Sequence, residues 1–269
     1  MTILRLPSWR DGTGIILEGF FDTYGGRTRL LVTGSSRLDV YRRGGDSLMG
    51  RYLSYRMHPF TVAELIDSRL PDAHRIVRQP GTIPASEWTA HSGNQVIYSS
   101  LASVVGVSVN TLRRWVSTLA GFYLGFTLQP WFTSVARSLR KEPKWFLRDW
   151  SRVADAGKRS ETFVACHLLK AVEGWTDLGL GDFRLVYLRD KEKREVDFVV
   201  IRDGRPWFLV EVKQSDTALH GPLTCSQRQL QAPHAFQVVI DADHVASDCF
   251  AQRGHPLVVP AQTFLSQLL

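Results

Sequence analysis

The feature that most constrains this chain is one amphipathic helix followed by three strand-like runs. The runs are Phe183 to Leu188, Val196 to Ile201 and Trp207 to Lys213, each of strand length and rich in β-branched and aromatic residues. Ahead of them Glu161, Val164, Leu168, Ala171 and Trp175 recur at the period of a helix running from about Lys158 to Val172. A polar helix near Thr224 to Gln231 and a strand near Phe236 to Ile240 complete the order αβββαβ. The predicted fold class is therefore α/β, a sheet that must be covered by helices.

One helical residue breaks the apolar pattern. Glu161 shares the stripe with core residues, and a carboxylate facing a core is costly unless it is paired or binds a metal. The second and third strands form a hairpin around Asp203-Gly204. A three-residue loop of Asp203, Gly204 and Arg205 sets Arg202 opposite Pro206 and Asp197 opposite Glu211, with Lys213 on the same face. A two-residue loop would set Asp197 opposite Val210 and break the cluster. Asp197 and Glu211, with Glu161 as accessory ligand, suit a hard divalent cation such as Mg²⁺, with Mn²⁺ as substitute, and Lys213 would then orient or activate water. A plain carboxylate–lysine salt bridge on a sheet face is the competing account of the same residues.

Composition narrows the partners. With 33 Lys plus Arg against 26 Asp plus Glu, the formal charge of +7 favours a polyanion such as DNA. No run approaches the roughly 18 apolar residues of a membrane span, and the best, Phe163 to Val172, contains His167 and Lys170, so no membrane partner is expected. The first residues lack signal-peptide features, which predicts a cytoplasmic location. Cys166, Cys225 and Cys249 are odd in number and far apart, which argues against a disulfide framework. The histidines form no His-Glu-x-x-His pattern, so zinc catalysis is not expected.

Three regions follow from turn signals: residues 1–80, 93–150 and 151–269. The first holds a strand-like Arg29 to Val32 ending at Thr33-Gly34-Ser35-Ser36, a second strand candidate from Tyr52 to Met57, and a short helix from Val62 to Asp67 capped by Thr61. A Pro-, Gly- and Ser-rich loop, Pro71 to Ser92, separates it from the next. In the middle region, helices over Ile97 to Val105 and Thr111 to Leu119 flank the turn Gly106-Val107-Ser108, a helix-turn-helix spacing. The β-prone run Phe122 to Leu128 suits the wing of a winged helix. Asn110, Thr111, Arg113 and Arg114 would meet DNA phosphates or bases, with Trp115, Val116 and Leu119 facing the core; a purely structural helix pair is equally open. The basic stretch Arg137 to Arg159, Lys144 included, carries Trp145, Phe146 and Trp150; this mixture suits nucleic acid, although the aromatics read better as core. Gln227, Gln229 and the segment Asp241-Ala242-Asp243-His244 are left outside the site.

Glu161 in its helix, Glu195-Val196-Asp197-Phe198 and Val210-Glu211-Val212-Lys213 together resemble the PD-(D/E)XK restriction-endonuclease-like superfamily, Asp197 matching its second motif and Glu211 and Lys213 its third. More widely, Leu31 to Asp39, Gly50-Arg51-Tyr52, His58 to Leu65 and Arg189 to Phe198 resemble a family of bacterial and archaeal AAA-type ATPases. In that family a P-loop domain precedes a winged helix and an endonuclease-like domain. The resemblance implies a degenerate AAA-type remnant over residues 1–80, a winged helix over 93–150 and an αβββαβ restriction-endonuclease-like domain over 151–269. It implies a DNA-associated protein whose Mg²⁺-dependent phosphodiesterase site comprises Asp197, Glu211, Lys213 and Glu161.

The resemblance also puts Ser35 in the place of a γ-phosphate sensor and Arg51 in that of an arginine finger, both acting only on nucleotide held by a partner subunit's P-loop. The chain has no Gly-x-x-x-x-Gly-Lys-Ser/Thr of its own: around Gly157-Lys158, Arg152 stands where the first glycine belongs and Arg159 where the hydroxyl belongs. Two other functions fit the same residues. One is a non-catalytic DNA- or protein-binding regulatory module; the other is an ATPase subunit that stimulates a P-loop partner through Arg51. Calorimetric titration of the chain alone with Mg-ATP is expected to give no one-to-one micromolar binding; finding such binding overturns the reading of a missing P-loop.

Overall fold

The computed structural model describes residues 2–6, 30–34, 56–58, 92–131, 142–189 and 194–268, and these form a mixed α/β structure. Strands β1 (Thr2–Leu6) and β2 (Leu30–Gly34) pair in parallel, Thr2 opposite Leu30. Ser35, Arg51, the helix expected over Val62 to Asp67 and most of the Pro71 to Ser92 loop lie outside the described residues. So does most of the strand expected over Tyr52 to Met57, whose last two residues, with His58, have no regular structure.

Next come β3 (Asn94–Gln95), α1 (Tyr98–Val105), α2 (Val109–Gly121), β4 (Gly125–Leu128) and β5 (Lys144–Leu147). The turn between the helices falls where the sequence predicts it. Gly106 closes α1 in the left-handed region at φ 72°, which a residue without Cβ adopts at little cost. Ser108 then caps α2 by accepting a hydrogen bond from Thr111 N. The antiparallel pair β4 and β5, with β3 on the other side of β5, makes a three-stranded sheet.

The remaining elements are α3 (Ala156–Asp177), β6 (Phe183–Arg189), β7 (Glu195–Arg202), β8 (Arg205–Lys213), α4 (Gly221–Leu230), β9 (His234–Val239), β10 (Pro256–Pro260) and α5 (Ala261–Leu265). Helix α3 starts two residues earlier than its apolar pattern indicates, because Asp155 accepts from Lys158 N at 2.7 Å and caps it. The five strands lie in the order β10-β9-β8-β7-β6. Strands β6, β7 and β8 are antiparallel neighbours, and β9 and β10 add in parallel.

The two faces of this sheet bury different sets. Phe198, Val200, Phe208 and Val210 pack with Val164, Leu168 and Val172 of α3 and with Phe236 and Phe264. Val199, Ile201 and Leu209 turn the other way and pack with Leu223 of α4 and Ala235. This is the strict alternation of a sheet buried on both faces. Phe126, Leu128 and Phe146 belong to the α3-side core, so β4 and β5 of the middle region share one core with the large sheet.

The middle region also closes the sheet's outer edge. Pro130 bridges Tyr187 in parallel, Trp131 N donates to Tyr187 O at 2.6 Å, and Tyr187 N donates to Gln129 O at 3.1 Å. Residues 56–58 fasten onto α3 through Arg56–Asp177 at 3.2 Å and His58–Glu173 at 2.7 Å. Burial pulls the Glu173 carboxyl upward, but the His58 hydrogen bond and the charges of His58, Arg56 and Arg148 together hold it below its ordinary value. Among the described residues no helix is long and apolar enough to cross a membrane.

Gly125 is required at the β4–β5 contact, because a Cβ there would overlap the Trp145 ring and the Phe146 carbonyl oxygen. Both neighbours are fixed in the core, so Gly125→Ala is expected to lower stability by about 2 to 3 kcal/mol, the scale of an overpacked core site. A chemical-denaturation midpoint unchanged from wild type would show that the contact relaxes freely.

Candidate functional site

The β7–β8 hairpin reaches the expected register by an unexpected route. Its loop has two residues, Asp203 at φ 50° and Gly204 at φ 79°, and Arg202 faces Arg205, not Pro206. Continued along the strands, that pairing would have set Asp197 opposite Val210. A bulge at Trp207 corrects it: Ile201 pairs with Pro206, Val200 with Phe208 and Phe198 with Val210. The ladder's last pair is Phe198 with Val210, and beyond it Val212 N donates to Asp197 Oδ2 at 2.9 Å, which sets the Asp197 carboxyl beside the Glu211–Val212 peptide. A second irregularity falls between β6 and β7, where Val186 pairs with Val199 but Leu188 with Val196. It accommodates an extra β7 residue at Asp197-Phe198 and breaks the strand's alternation at the acid.

Asp197 keeps part of its surface open, yet its carboxyl group is surrounded by protein. Burial, then the charges of Glu161 and Glu211, raise its pKa well above the ordinary carboxylate range, with Lys144 and the Val212 amide opposing. Glu211 is buried. Its Oε1 accepts from Lys213 Nζ at 2.8 Å and lies 3.2 Å from His220 Nδ1, while its buried Oε2 has no hydrogen-bond partner. Burial lowers the Lys213 pKa, but the hydrogen bond and charge of Glu211, with Asp197 and Asp216, raise it on balance. Lys213 is therefore an ammonium at neutral pH, a donor and positive charge but not a base.

His220 and Gln237 are site neighbours that sequence reading missed. Gln237 pairs with Glu211 across β8 and β9 and is fully buried. Its Nε2 donates to Asp216 O at 3.0 Å and Ala218 O at 2.9 Å, and its Oε1 accepts from His220 N at 2.8 Å. Gln237 thus holds the loop that brings His220 to Glu211. Inside a strand, a single glutamine offers no sequence signal for this.

Glu161 acts on Asp197 from a different element. It projects from α3, against the face opposite that on which Leu209 and α4 pack, and both of its oxygens are taken. Lys144 Nζ donates to Oε1 at 2.8 Å and Lys158 Nζ to Oε2 at 3.0 Å. Lys144 also contacts Glu195 Oε1. Burial acts to lower the Lys144 pKa, but Glu161, Asp197 and Glu195 outweigh it and raise it above the ordinary lysine value. Lys144 and Glu195 were not singled out as site residues; within a basic, aromatic stretch Lys144 reads as a nucleic-acid contact, whereas it is 2% exposed.

Among the described residues no group of three His, Cys, Asp or Glu side chains is arranged to hold a metal ion. The sheet separates Glu161 from Glu211, and Lys144 lies among the acids on the α3 side. What stands ready is a pair, Asp197 and Glu211, with one unpartnered buried oxygen. Mg²⁺ commonly takes one or two carboxylates and fills the rest of its octahedron with water, so the donor pair fits it.

On α2, Asn110, Arg113 and Arg114 are exposed and Thr111 is partly exposed. The Thr111 hydroxyl lies 2.9 Å from Ser108 Oγ within the cap, and Arg113 stacks over the Tyr98 ring at 4.9 Å. Val116 is buried as expected, but Trp115 is 45% exposed and does not face the core. Gln227 is buried and donates to Ala232 O at 3.2 Å, a contact that closes the end of α4.

Residues 88–161 match a domain of unknown function, DUF8612. Residues 156–242 match a second, DUF4143, a domain often found in AAA-ATPase-associated proteins. The chain is 26% identical over 151 residues to the uncharacterized protein Rv2008c of Mycobacterium tuberculosis and equally to the uncharacterized protein Mb2031c of Mycobacterium bovis. In each case the match covers 52% of this chain and 34% of the relative, so the chain spans about a third of the length of the curated relatives it matches. No solved structure matches.

The raised Asp197 pKa has a thermodynamic consequence with a definite sign. The folded state binds this proton more tightly than the unfolded chain, so the stability it contributes is full below the unfolded carboxyl pKa and is lost as pH rises through the folded one. Asp197→Asn keeps an acceptor for Val212 N and removes the charge. In chelator-treated protein it is expected to raise the melting temperature at neutral pH, with the gain vanishing below about pH 4, where the free carboxyl is itself protonated. A melting temperature lowered equally at every pH would sink this account.

Proposed function

We propose that the chain carries a Mg²⁺-dependent phosphodiesterase centre of the PD-(D/E)XK type, acting on DNA. The observation that carries this reading is the Asp197 carboxyl held by the Val212 amide within the field of Glu211, beside a protonated Lys213 and with one buried oxygen of Glu211 unpartnered. The order of one helix, three antiparallel strands, a helix and a parallel strand supports it, as does the strand irregularity at the acid, because bulges concentrate beside active sites. Asp197 and Glu211 would hold the ion. Bound there, Mg²⁺ supplies charge stabilisation to a phosphodiester and lowers the pKa of a coordinated water.

The chain's own groups have separate tasks. Lys213, as an ammonium, orients water and the non-bridging phosphate oxygens by donating hydrogen bonds. His220 lies against the same Glu211 oxygen, and Gln237 fixes its loop. Glu161, engaged by two lysines, acts on Asp197 through its charge. The helix-turn-helix with its following strand pair reads as a winged helix, with Asn110, Arg113 and Arg114 of α2 offered to DNA. The AAA-type remnant over residues 1–80, with Ser35 and Arg51 serving a P-loop partner in trans, belongs to the same proposal and rests on the sequence resemblance.

The test is incubation of purified protein with single- and double-stranded DNA in Mg²⁺ or Mn²⁺. Cleavage by wild type is expected, with Asp197→Ala and Lys213→Ala each losing about 100-fold or more, the scale for removing one transition-state-stabilising group. Folded wild type that binds DNA without cutting it, with binding indifferent to both changes, would instead identify a non-catalytic binding module.

A further inference from the structure

The helix pair of the middle region carries an unusual charge pattern. From Ser92 to Trp131 there is no Asp, Glu or Lys, and the charged side chains are Arg113 and Arg114 of α2, both exposed. On another flank of the same helix stand two open aromatic rings. Trp115 is 45% exposed, and Phe122, the residue that closes α2, is 63% exposed. Seven residues apart, they share one flank, two turns or about 10 Å from each other. The hydroxyls on that flank are spent on the helix itself: Thr111 meets Ser108 Oγ at 2.9 Å, and Thr118 Oγ1 donates to Arg114 O at 2.9 Å. Directly after Phe122, Tyr123 takes φ 58° and sets its ring 5.1 Å from the Arg148 guanidinium. That left-handed conformation is costly for a bulky residue, and it accompanies a chain that keeps Tyr123 in and Phe122 out.

We infer that this flank of α2 binds single-stranded DNA, with Trp115 and Phe122 stacking on unpaired bases and Arg114, about a quarter turn away, on the phosphates. Aromatic rings beside positive charge hold a strand without regard to its sequence, because every base has a π-face. A duplex would be read differently. A recognition helix in the major groove uses the N-terminal residues of the second helix on base edges. Here Thr111 is committed to the cap, Val109 is half-buried and Arg113 lies over the Tyr98 ring, which leaves Asn110 as the reader in that turn. A second copy of the chain fits no better. A two-fold contact sets one patch against itself, and Arg114 would then approach an arginine with no acid in the helix pair to offset it.

The inference deepens the phosphodiesterase reading by naming the form of its substrate, and it takes from that reading the identity of the polymer as DNA. The stacking flank itself rests on the exposed rings and the acid-free charge. Residues 129–131 hydrogen-bond to β6, so a strand held on α2 is held by the body that carries Asp197.

The experiment follows the fluorescence anisotropy of labelled oligo-dT, oligo-rU and a duplex of equal length with the full-length chain in chelator, where metal-dependent cleavage is silent. Wild type is expected to bind oligo-dT about 10-fold more tightly than the duplex. Trp115→Ala and Phe122→Ala are each expected to lose about 5-fold or more, the scale of one base–aromatic stack, with melting temperatures near that of wild type. Trp115→Phe, which keeps a ring, retains most of the affinity, and Arg114→Ala makes binding less sensitive to salt. Duplex bound as tightly as oligo-dT, affinity indifferent to the loss of either ring, or no binding at all overturns the inference. So does a preference for oligo-rU, which moves the site to RNA, or a wild-type dimer that Trp115→Ala abolishes. Repeating the assay with Mg²⁺ separates the two proposals. Binding that needs Trp115, without cleavage, leaves the single-strand site standing and removes the phosphodiesterase centre. Cleavage that needs Asp197, with affinity indifferent to Trp115 and Phe122, does the reverse.

Discussion

An ammonium surrounded by protein, between two glutamates drawn from a helix and a strand, is the constraint that orders this structure. In water such pairs contribute little. Sealed from solvent, they enforce geometry, since losing one partner strands the others at a cost of about 3 to 5 kcal/mol. Lys144 therefore fixes β5 against α3 and β7 together. The packing of Phe146 with Phe198, ring centroids 5.7 Å apart, runs beside it and gains from the same alignment.

The second organising device is irregularity in the pairings of β7. One register shift, toward β6, falls at Asp197-Phe198, and a second, in the β8 pairing, lies between Val200 and Ile201. A regular β7 would keep its alternation and give the acid to a single face. The shifts let one carboxyl feel Glu161 from the α3 side and Glu211 from the α4 side, and that double exposure to negative charge makes its ionisation unfavourable. Perturbed acids of this kind concentrate at functional sites.

Much of this was legible in the residues, and the gaps have physical causes. The α3 stripe, the two strands of the hairpin and the position of Gly106 all follow from periodicity and turn chemistry. The hairpin loop itself was misjudged: Asp203-Gly204 makes a two-residue turn of the kind its sequence favours, and a bulge at Trp207 that no local pattern announces supplied the missing residue. Pairings between distant segments were invisible for a different reason. Lys144 with Glu161 and Glu195 joins residues across the sequence, and charge spacing along a chain carries no information about it. Trp115 misled because helical periodicity identifies an apolar face without saying whether anything covers it. Strand β10, bounded by Pro256 and Pro260, hid because proline discourages a strand reading although it is tolerated at a sheet's edge.

The seam along the outer edge of the sheet also ties the helix pair to it. Residues 129–131 hydrogen-bond to β6 directly after β4 leaves the helix pair, and β4 and β5 are set into the core beneath that sheet. The exposed face of α2 and the carboxyl of Asp197 are consequently carried on one continuous hydrogen-bonded frame, with no free hinge in the described chain that links them. Moving the helix pair against the large sheet would therefore mean breaking both these hydrogen bonds and the shared core.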